Sequence, residues 1–487
     1  MSRPADCLLW CPDVLVARGR FKPSHYLGIL YIARVAEAGG YEPRVILHGH
    51  DLDAVAAEVE RVRPRIVGVS VTDSQWRSNL PLAVALCRQV KRQAHPPRTV
   101  LGGLLATMFA DEIMARHADV DIVVRGEGEE TFLEILAERP LDQIAGIAYR
   151  DECGTIHHTP PRPPLADLDH LPHALAVESE ATATTECAGL LGNVRYAPAE
   201  QCASIMTGRG CRGACTFCVN PWYYKPVRRR SIAGVADEIA QLSLRGVRFL
   251  RVCDADFADG AERVMQFCDA VRPFGMQWSC WQRADMTDAA AYRAMRRSGC
   301  RNTTFGIESF DPEIRNRGYG KGISDERLAQ AIGNASRAGL DTIGEIIIGH
   351  PQEDAARLRE GLRRARHILR HLDYVNISFL SITPHTALWR QMTAEMPAGQ
   401  VQRLRLRAMH EFPSVWRFVQ GVRPGALEAI SEEYLRSVYH NPLYLLRQCG
   451  RIVTRRKRLV WRNRKEIARF VGGKVALAIA SSGRGKA

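Results

Sequence analysis

Thr207-Gly-Arg-Gly-Cys-Arg-Gly-Ala-Cys-Thr-Phe-Cys-Val-Asn220 holds three cysteines, Cys211, Cys215 and Cys218, in a C-x3-C-x2-C run. The run supplies three thiolates and no fourth. A closed structural zinc site takes four ligands. A [4Fe-4S] cluster is also ordinarily held by four cysteines. Three thiolates in one short loop therefore suggest a cluster with one iron left open, and an open iron can bind a substrate or cofactor. The competing readings are three buried cysteines, or three of four zinc ligands.

The spacing, the glycine before Cys211 and the aromatic Phe217 before Cys218 resemble the signature of the radical S-adenosylmethionine (SAM) enzymes. The resemblance implies that the open iron chelates the amino and carboxylate groups of SAM. It also implies reductive cleavage of SAM to methionine and a 5′-deoxyadenosyl radical, with Cys211, Cys215 and Cys218 as cluster ligands and catalytic residues.

Downstream of this loop the chain alternates apolar strands and helices from about 200 to 392. Ala203–Met206 feeds the loop. Arg248–Val252 runs into Asp254-Ala-Asp-Phe257, and Gln277–Cys280 into Gln282-Arg-Ala-Asp285. Asn302–Ser309, Thr342–Gly349 and Tyr374–Ser381 follow. The pattern predicts a partial (β/α)6 TIM-type barrel, whose chemistry collects at the carboxyl ends of the strands. By resemblance, Asp254 and Asp256 contact the SAM amino group. Glu308, in Gly306-Ile-Glu-Ser309, takes the ribose hydroxyls, as an acceptor-only carboxylate can. Arg283 faces the SAM carboxylate, and Gly349 and Pro351 form the turn beside adenine. Taken singly, a carboxylate after a strand is as well read as a helix cap. His385 replaces the glycine of the family's Pro-Gly-Thr; it reads either as a substrate contact or proton donor, or as a loop histidine.

Upstream, residues 1–140 alternate short buried strands with helices, which predicts an α/β, flavodoxin-like (Rossmann-type) parallel sheet. Ligands of such sheets bind outside the carboxyl ends of the strands. Small residues gather there: Ser70-Val-Thr72, Gly102-Gly103 and Arg125-Gly-Glu-Gly-Glu129. Val67-Gly-Val-Ser70, Val100-Leu-Gly-Gly-Leu104 and Asp121–Glu129 resemble the cobalamin-binding domain that precedes many radical SAM domains. The resemblance implies that Ser70, Thr72, Gly102, Gly103, Gly126, Glu127 and Gly128 line the corrinoid. The family's D-x-H-x-x-G motif is incomplete: His25 and Gly28 keep their spacing, but Pro23 stands at the aspartate position. Cobalamin bound without a protein histidine on cobalt is the expectation.

Residues 141–199 read as a linker, with Thr159-Pro-Pro-Arg-Pro-Pro164 breaking regular structure. Residues 393–487 read as a helical C-terminal region. The net charge of +14 is lopsided: from Arg451 onward there are twelve Lys or Arg against Glu466 alone, so the tail carries +11. The rest is nearly neutral, which argues against a general nucleic-acid surface. Along Arg451–Val471 an apolar stripe and a basic stripe separate at helical period. That helix suits either an anionic membrane surface or docking on the barrel. No apolar run approaches a membrane span, and the 14 scattered cysteines suit a reducing cytoplasm.

The leading reading is a cobalamin-dependent radical SAM enzyme that methylates an unactivated carbon of a small-molecule or lipid substrate, with a flavodoxin or ferredoxin as reductant. The second keeps the cofactors but cyclises or rearranges: Tyr434–Pro442 resembles tails of the anaerobic magnesium-protoporphyrin ester cyclase subgroup. The third is a zinc-binding, nucleic-acid-associated protein.

Overall fold

The computed structural model describes residues 5–12, 27–47, 51–74, 77–177, 188–189, 192–193, 201–369 and 371–409. Pro23, His25 and the basic segment from Arg451 lie outside the described residues.

Two sheets carry the molecule. The first contains β1 (Cys7–Trp10), β2 (Pro43–Ile46), β3 (Ile66–Ser70), β4 (Arg98–Gly102), β5 (Ile122–Val124), β6 (Ile147–Arg150) and β7 (Ile156–His158) in the order β2-β1-β3-β4-β5-β6-β7. The first five pair in parallel, and β6 and β7 extend them antiparallel. An order 2-1-3-4-5 is the flavodoxin-like one, with its crevice where the order reverses between β1 and β3.

Side chains alternate across this sheet. Leu8, Trp10, Val67, Val69 and Leu101 pack on one face, against helices Leu52–Val62 and Leu80–Val90. Leu9, Ile66, Val100, Ile122 and Val124 pack on the other, against helices Leu27–Ala38 and Glu129–Leu136. Both faces are covered, so the strands read as nearly continuous apolar runs. The caps are local chemistry. Asp51 accepts from the backbone N–H of Asp53 and Ala54 to start one helix.

The second sheet runs β8 (Ala176–Val177), β9 (Cys202–Ile205), β10 (Phe249–Val252), β11 (Gln277–Arg283), β12 (Cys300–Glu308), β13 (Asp341–Ile348) and β14 (Tyr374–Phe379), in chain order. β8 is antiparallel to β9; the other neighbours are parallel. Six parallel strands in succession, with helices between them, make the partial barrel expected from the sequence. Trp278, Cys280, Phe305, Ile307, Ile346 and Ile348 share one core with the surrounding helices. The residues alternating with them, among them Gly306, Glu308, Glu345 and Asn376, face inward.

After β14 the helix Ala398–Ala408 returns to the first sheet, where Ala408 and Met409 join its core. Arg405 pairs with Glu112 there and donates to the Met108 carbonyl at 2.7 Å. No helix among the described residues is long and apolar enough to cross a membrane.

Gly103 shows how tightly the crevice is drawn. Its φ is +97°, and a Cβ there would stand 2.8 Å from the Val71 carbonyl oxygen. Gly103→Ala should therefore cost more than about 1 kcal/mol, read as a lower urea midpoint. An unchanged midpoint would contradict this account of the crevice.

Candidate functional site

The cluster loop leaves β9 and turns across the carboxyl end of the barrel. Cys215 is buried, and Cys211 and Cys218 are partly so. The Gly213 N–H points at Cys211 Sγ, 3.3 Å away, and Arg283 Nη1 lies 3.7 Å from Cys215 Sγ. A Cβ on Gly213 would meet that guanidinium at 2.4 Å, so a larger residue would have to displace the Arg283 tip. The donor set is three sulfurs beside two cations, Arg283 and the buried Lys321, and it fits an anionic iron–sulfur cluster.

The groups at the strand ends differ in how fully they are committed. Asp254 accepts from the Thr207 N–H at 2.7 Å, from its hydroxyl, and from the Gly208 N–H at 3.2 Å. Its carboxylate thus ties β10 to the root of the cluster loop. Asp256 accepts from the Arg283 N–H at 3.1 Å through Oδ1, while its buried Oδ2 has no hydrogen bond among the described residues and lies 3.5 Å from Arg212 Nη2. Arg283 also binds Asp285 at 2.9 Å and the Lys321 carbonyl at 2.6 Å.

Glu308 sits at a register shift between β12 and β13 and adopts φ +68°. Bulges and left-handed non-glycine residues re-aim side chains at functional sites. Here the carboxylate turns to Lys321 Nζ, 2.6 Å away. Lys321 is held by a device the sequence did not announce. A π-helical turn at Ile314–Gly318 buries Arg315, which donates to the Ser309 carbonyl at 3.1 Å and the Ile323 carbonyl at 2.9 Å. Gly349, at φ +100°, and His350 both donate backbone N–H groups to Glu353, at 2.8 and 3.0 Å. Ser309 Oγ lies 3.4 Å from the same carboxyl, and Pro351 is partly buried beside it.

On the first sheet a cavity of about 390 Å³ opens over the strand ends. Ser70, Thr72, Gly102, Gly103, Gly126, Glu127 and Gly128 all line it. Asn79 holds the β3 end in place, accepting from the Thr72 N–H at 2.9 Å and donating to the Ser70 carbonyl at 3.0 Å. The opposite wall comes from the barrel: Met206, Arg209, Tyr223, Tyr224 and Cys253. Sequence reasoning missed these residues, although the Trp222-Tyr-Tyr224 run just after Cys218 was a visible signal. Tyr223 donates to the Gly126 carbonyl at 2.9 Å, which joins the two units across the cavity.

The cavity suits a large ligand with an apolar body and polar edges. Leu9, Val100 and Phe132 give the apolar part, and Tyr31 Oη and Glu129 Oε2 are buried in its wall with no hydrogen-bond partner among the described residues. Cobalamin, an extended ring edged with amides, meets those requirements.

Glu127 lines the cavity, but its carboxylate is occupied. Arg228 donates to both its oxygens, at 2.8 and 2.6 Å, Arg209 Nη1 lies at 3.1 Å, and the Leu165 N–H donates at 2.9 Å. Arg209 Nη2 also donates to Glu129. These four charges are buried and sum to zero. The arginine fork and the Leu165 N–H hold the Glu127 carboxyl below its ordinary range despite burial. His385 lies at the edge of this interface. It adopts φ +67°, stacks on Trp222 at 4.2 Å, and approaches Arg405 Nη1 at 3.4 Å. Burial and the Arg405 charge lower its pKa.

Removing one member of the four-charge group would strand buried charges, at a cost of about 3–5 kcal/mol. Glu127→Ala should lose that much stability in urea denaturation, and a loss below about 1 kcal/mol would contradict the network's role. A pH dependence follows from two carboxyls inside the barrel face. Burial raises Glu345 and Glu353 from 4.5 to about 7. The folded state then keeps these protons where the unfolded state has lost them. Their contribution to stability is full below about pH 4.5 and is lost as pH rises through about 7. Tm should fall between pH 6 and pH 8, and Glu345→Gln should shrink that fall; an equal fall in the variant would contradict the assignment.

Comparison with known proteins agrees with this layout. The B12 binding domain family matches residues 15–136, and the Radical SAM superfamily matches residues 205–365. An uncharacterised methyltransferase of Pyrococcus horikoshii is 27% identical over 349 residues, covering 70% of this chain and 72% of that protein. The anaerobic magnesium-protoporphyrin IX monomethyl ester cyclase of Rubrivivax gelatinosus is 26% identical over 361 residues, covering 69% of this chain and 61% of the cyclase. In fold, the chain is similar to the radical SAM methyltransferase TsrM of Kitasatospora setae, solved with cobalamin and a [4Fe-4S] cluster. The TM-score is 0.67 at 16% identity, over 90% of this chain and 89% of TsrM. The chain belongs to the radical SAM enzymes that carry a cobalamin-binding domain ahead of the barrel, and its cofactors are a [4Fe-4S] cluster, SAM and cobalamin.

Proposed function

We propose that this enzyme transfers a methyl group to an unactivated carbon of a small-molecule substrate. The observation that carries the reading is the shared wall: Tyr223 and Tyr224, five and six residues after Cys218, close the cavity on the first sheet. One substrate carbon can then face both cofactors. The cluster with SAM supplies hydrogen abstraction, and cobalamin supplies the methyl group.

The chain's own residues bind, orient and exclude. Cys211, Cys215 and Cys218 hold the cluster. Asp256 keeps one oxygen without a hydrogen bond among the described residues for the SAM amino group, whereas Asp254 serves the loop. Arg283 receives the SAM carboxylate, and Glu308 receives the ribose once Lys321 yields part of its hold. Ser309, Gly349 and Pro351 border the adenine. The glycines of the first sheet let the corrin approach the backbone. Apolar cover from Leu9, Val100 and Phe132 keeps water from the cavity floor. A small electron-transfer protein such as a flavodoxin or ferredoxin supplies reducing equivalents. The division into a first domain at 1–140, a linker at 141–199, a radical SAM core at 200–392 and a helical region at 393–487 belongs to this reading.

A second reading, cyclisation or rearrangement without methyl transfer, is favoured by the similarity to the ester cyclase. The two separate in one experiment. The protein is reconstituted anaerobically with iron, sulfide and hydroxocobalamin, then reduced with SAM present. Methyl transfer predicts both 5′-deoxyadenosine and S-adenosylhomocysteine; 5′-deoxyadenosine alone, with cobalamin retained, supports the second reading. Cys215→Ala should abolish 5′-deoxyadenosine. Asp256→Asn should weaken SAM binding about tenfold, while Asp254→Asn should instead lower cluster retention. Equal effects on SAM affinity would contradict the split between the two aspartates.

A further inference from the structure

Two polar atoms in the cavity wall are buried without a hydrogen-bond partner among the described residues: Tyr31 Oη and Glu129 Oε2. Tyr31 is 2% exposed and Glu129 4%. Both residues touch Arg209. Its guanidinium lies 5.7 Å from the Tyr31 ring centroid, and its Nη2 donates to the other oxygen of Glu129.

A phenol can donate a hydrogen bond, and an ionised carboxylate oxygen can only accept one. Such groups are rarely left unpaired in a folded interior. An occupant that satisfies both must bring an acceptor for the phenol and an N–H or O–H donor for the carboxylate. A primary carboxamide brings both, and the corrin ring is edged with primary carboxamides. A hydrocarbon edge would leave both atoms unpaired.

Arg209 links this pair to the iron–sulfur site. It stands two residues before Cys211, in the short run that leaves β9. Its charge is divided between Glu127 and Glu129. Glu127 is pinned by Arg228 and the Leu165 N–H. Glu129 is pinned on one oxygen only, so its side chain is the adjustable partner.

We propose that Tyr31 and Glu129 receive one carboxamide of the bound cobalamin, and that Arg209 passes this occupancy to the cluster loop, so that each cofactor stabilises the other's site. The inference rests on the two-cofactor reading above. With its second oxygen bonded, Glu129 keeps one rotamer and holds Arg209 at the root of the loop. Linkage then requires equal factors in both directions for the two affinities: the cluster raises cobalamin affinity as much as cobalamin raises cluster affinity.

The test uses full-length, cluster-loaded protein and hydroxocobalamin. Cobalamin affinity is measured by absorbance titration, and cluster retention by the rate of iron release to a ferrous chelator. In the wild-type protein, saturating hydroxocobalamin should slow iron release. Tyr31→Phe deletes one oxygen and keeps the ring against Arg209. It should weaken hydroxocobalamin binding about tenfold while saturating cobalamin still slows iron release. Glu129→Gln should remove the slowing at saturating cobalamin. Wild-type affinity in Tyr31→Phe, or iron release that cobalamin never changes, would overturn the inference and leave the functional reading standing. A wild-type protein that retains no cobalamin at all would overturn both.

Discussion

A buried group of four charges holds the two halves of this enzyme in register. Glu127 and Glu129 leave the end of β5, and Arg209 and Arg228 flank the cluster loop. Buried charges of this kind cost solvation and are tolerated only when paired and hydrogen-bonded. The arginine fork satisfies that condition, since Arg228 reaches both oxygens of Glu127 at 2.8 and 2.6 Å. The geometry fixes orientation as well as distance, because planar guanidinium and carboxylate groups meet edge to edge. Tyr223, bonded to the Gly126 carbonyl, extends the same seam. The relation between the first-sheet cavity and the cysteine loop depends on this seam.

Around that constraint, each sheet does one task. The first offers glycines and apolar side chains at strand ends, which line the cavity with small residues and apolar surface. The second gathers charge at its strand ends: Asp256, Arg283, Glu308 and Lys321 stand within one connected set beside Cys215. The helix Ala398–Ala408 then closes back on the first sheet through Arg405 and Glu112. His385 is held between Trp222 and Arg405 at this closure. Burial and the Arg405 charge lower its pKa there, and its ring packs on Trp222 at the seam between the two units.

Much of the fold was legible because parallel strands buried on both faces are nearly continuous apolar runs, and glycines mark their ends. The alternation of strands and helices and the small residues at the strand ends were readable for that reason. The cysteine loop was legible because its chemistry depends on spacing alone. What could not be read was long-range pairing. Glu127 looked like a ligand contact from its glycine neighbours, but its arginine partner lies 101 residues away. Asp254 and Asp256 looked equivalent in sequence; only the fold shows that Thr207 takes one of them. Lys321 carried no local signal, because Arg315 and a π-helical turn place it. The Tyr223 and Tyr224 wall was visible as an aromatic run but had no partner until the sheets met.

The central claim is that the two cofactors face one shared space across the Tyr223–Gly126 seam. Pulsed electron paramagnetic resonance on protein carrying both cob(II)alamin and the reduced cluster tests it most directly. The account predicts a dipolar interaction between the two spins that disappears when either cofactor is left out. Two spectra that simply add, with no interaction, would contradict it.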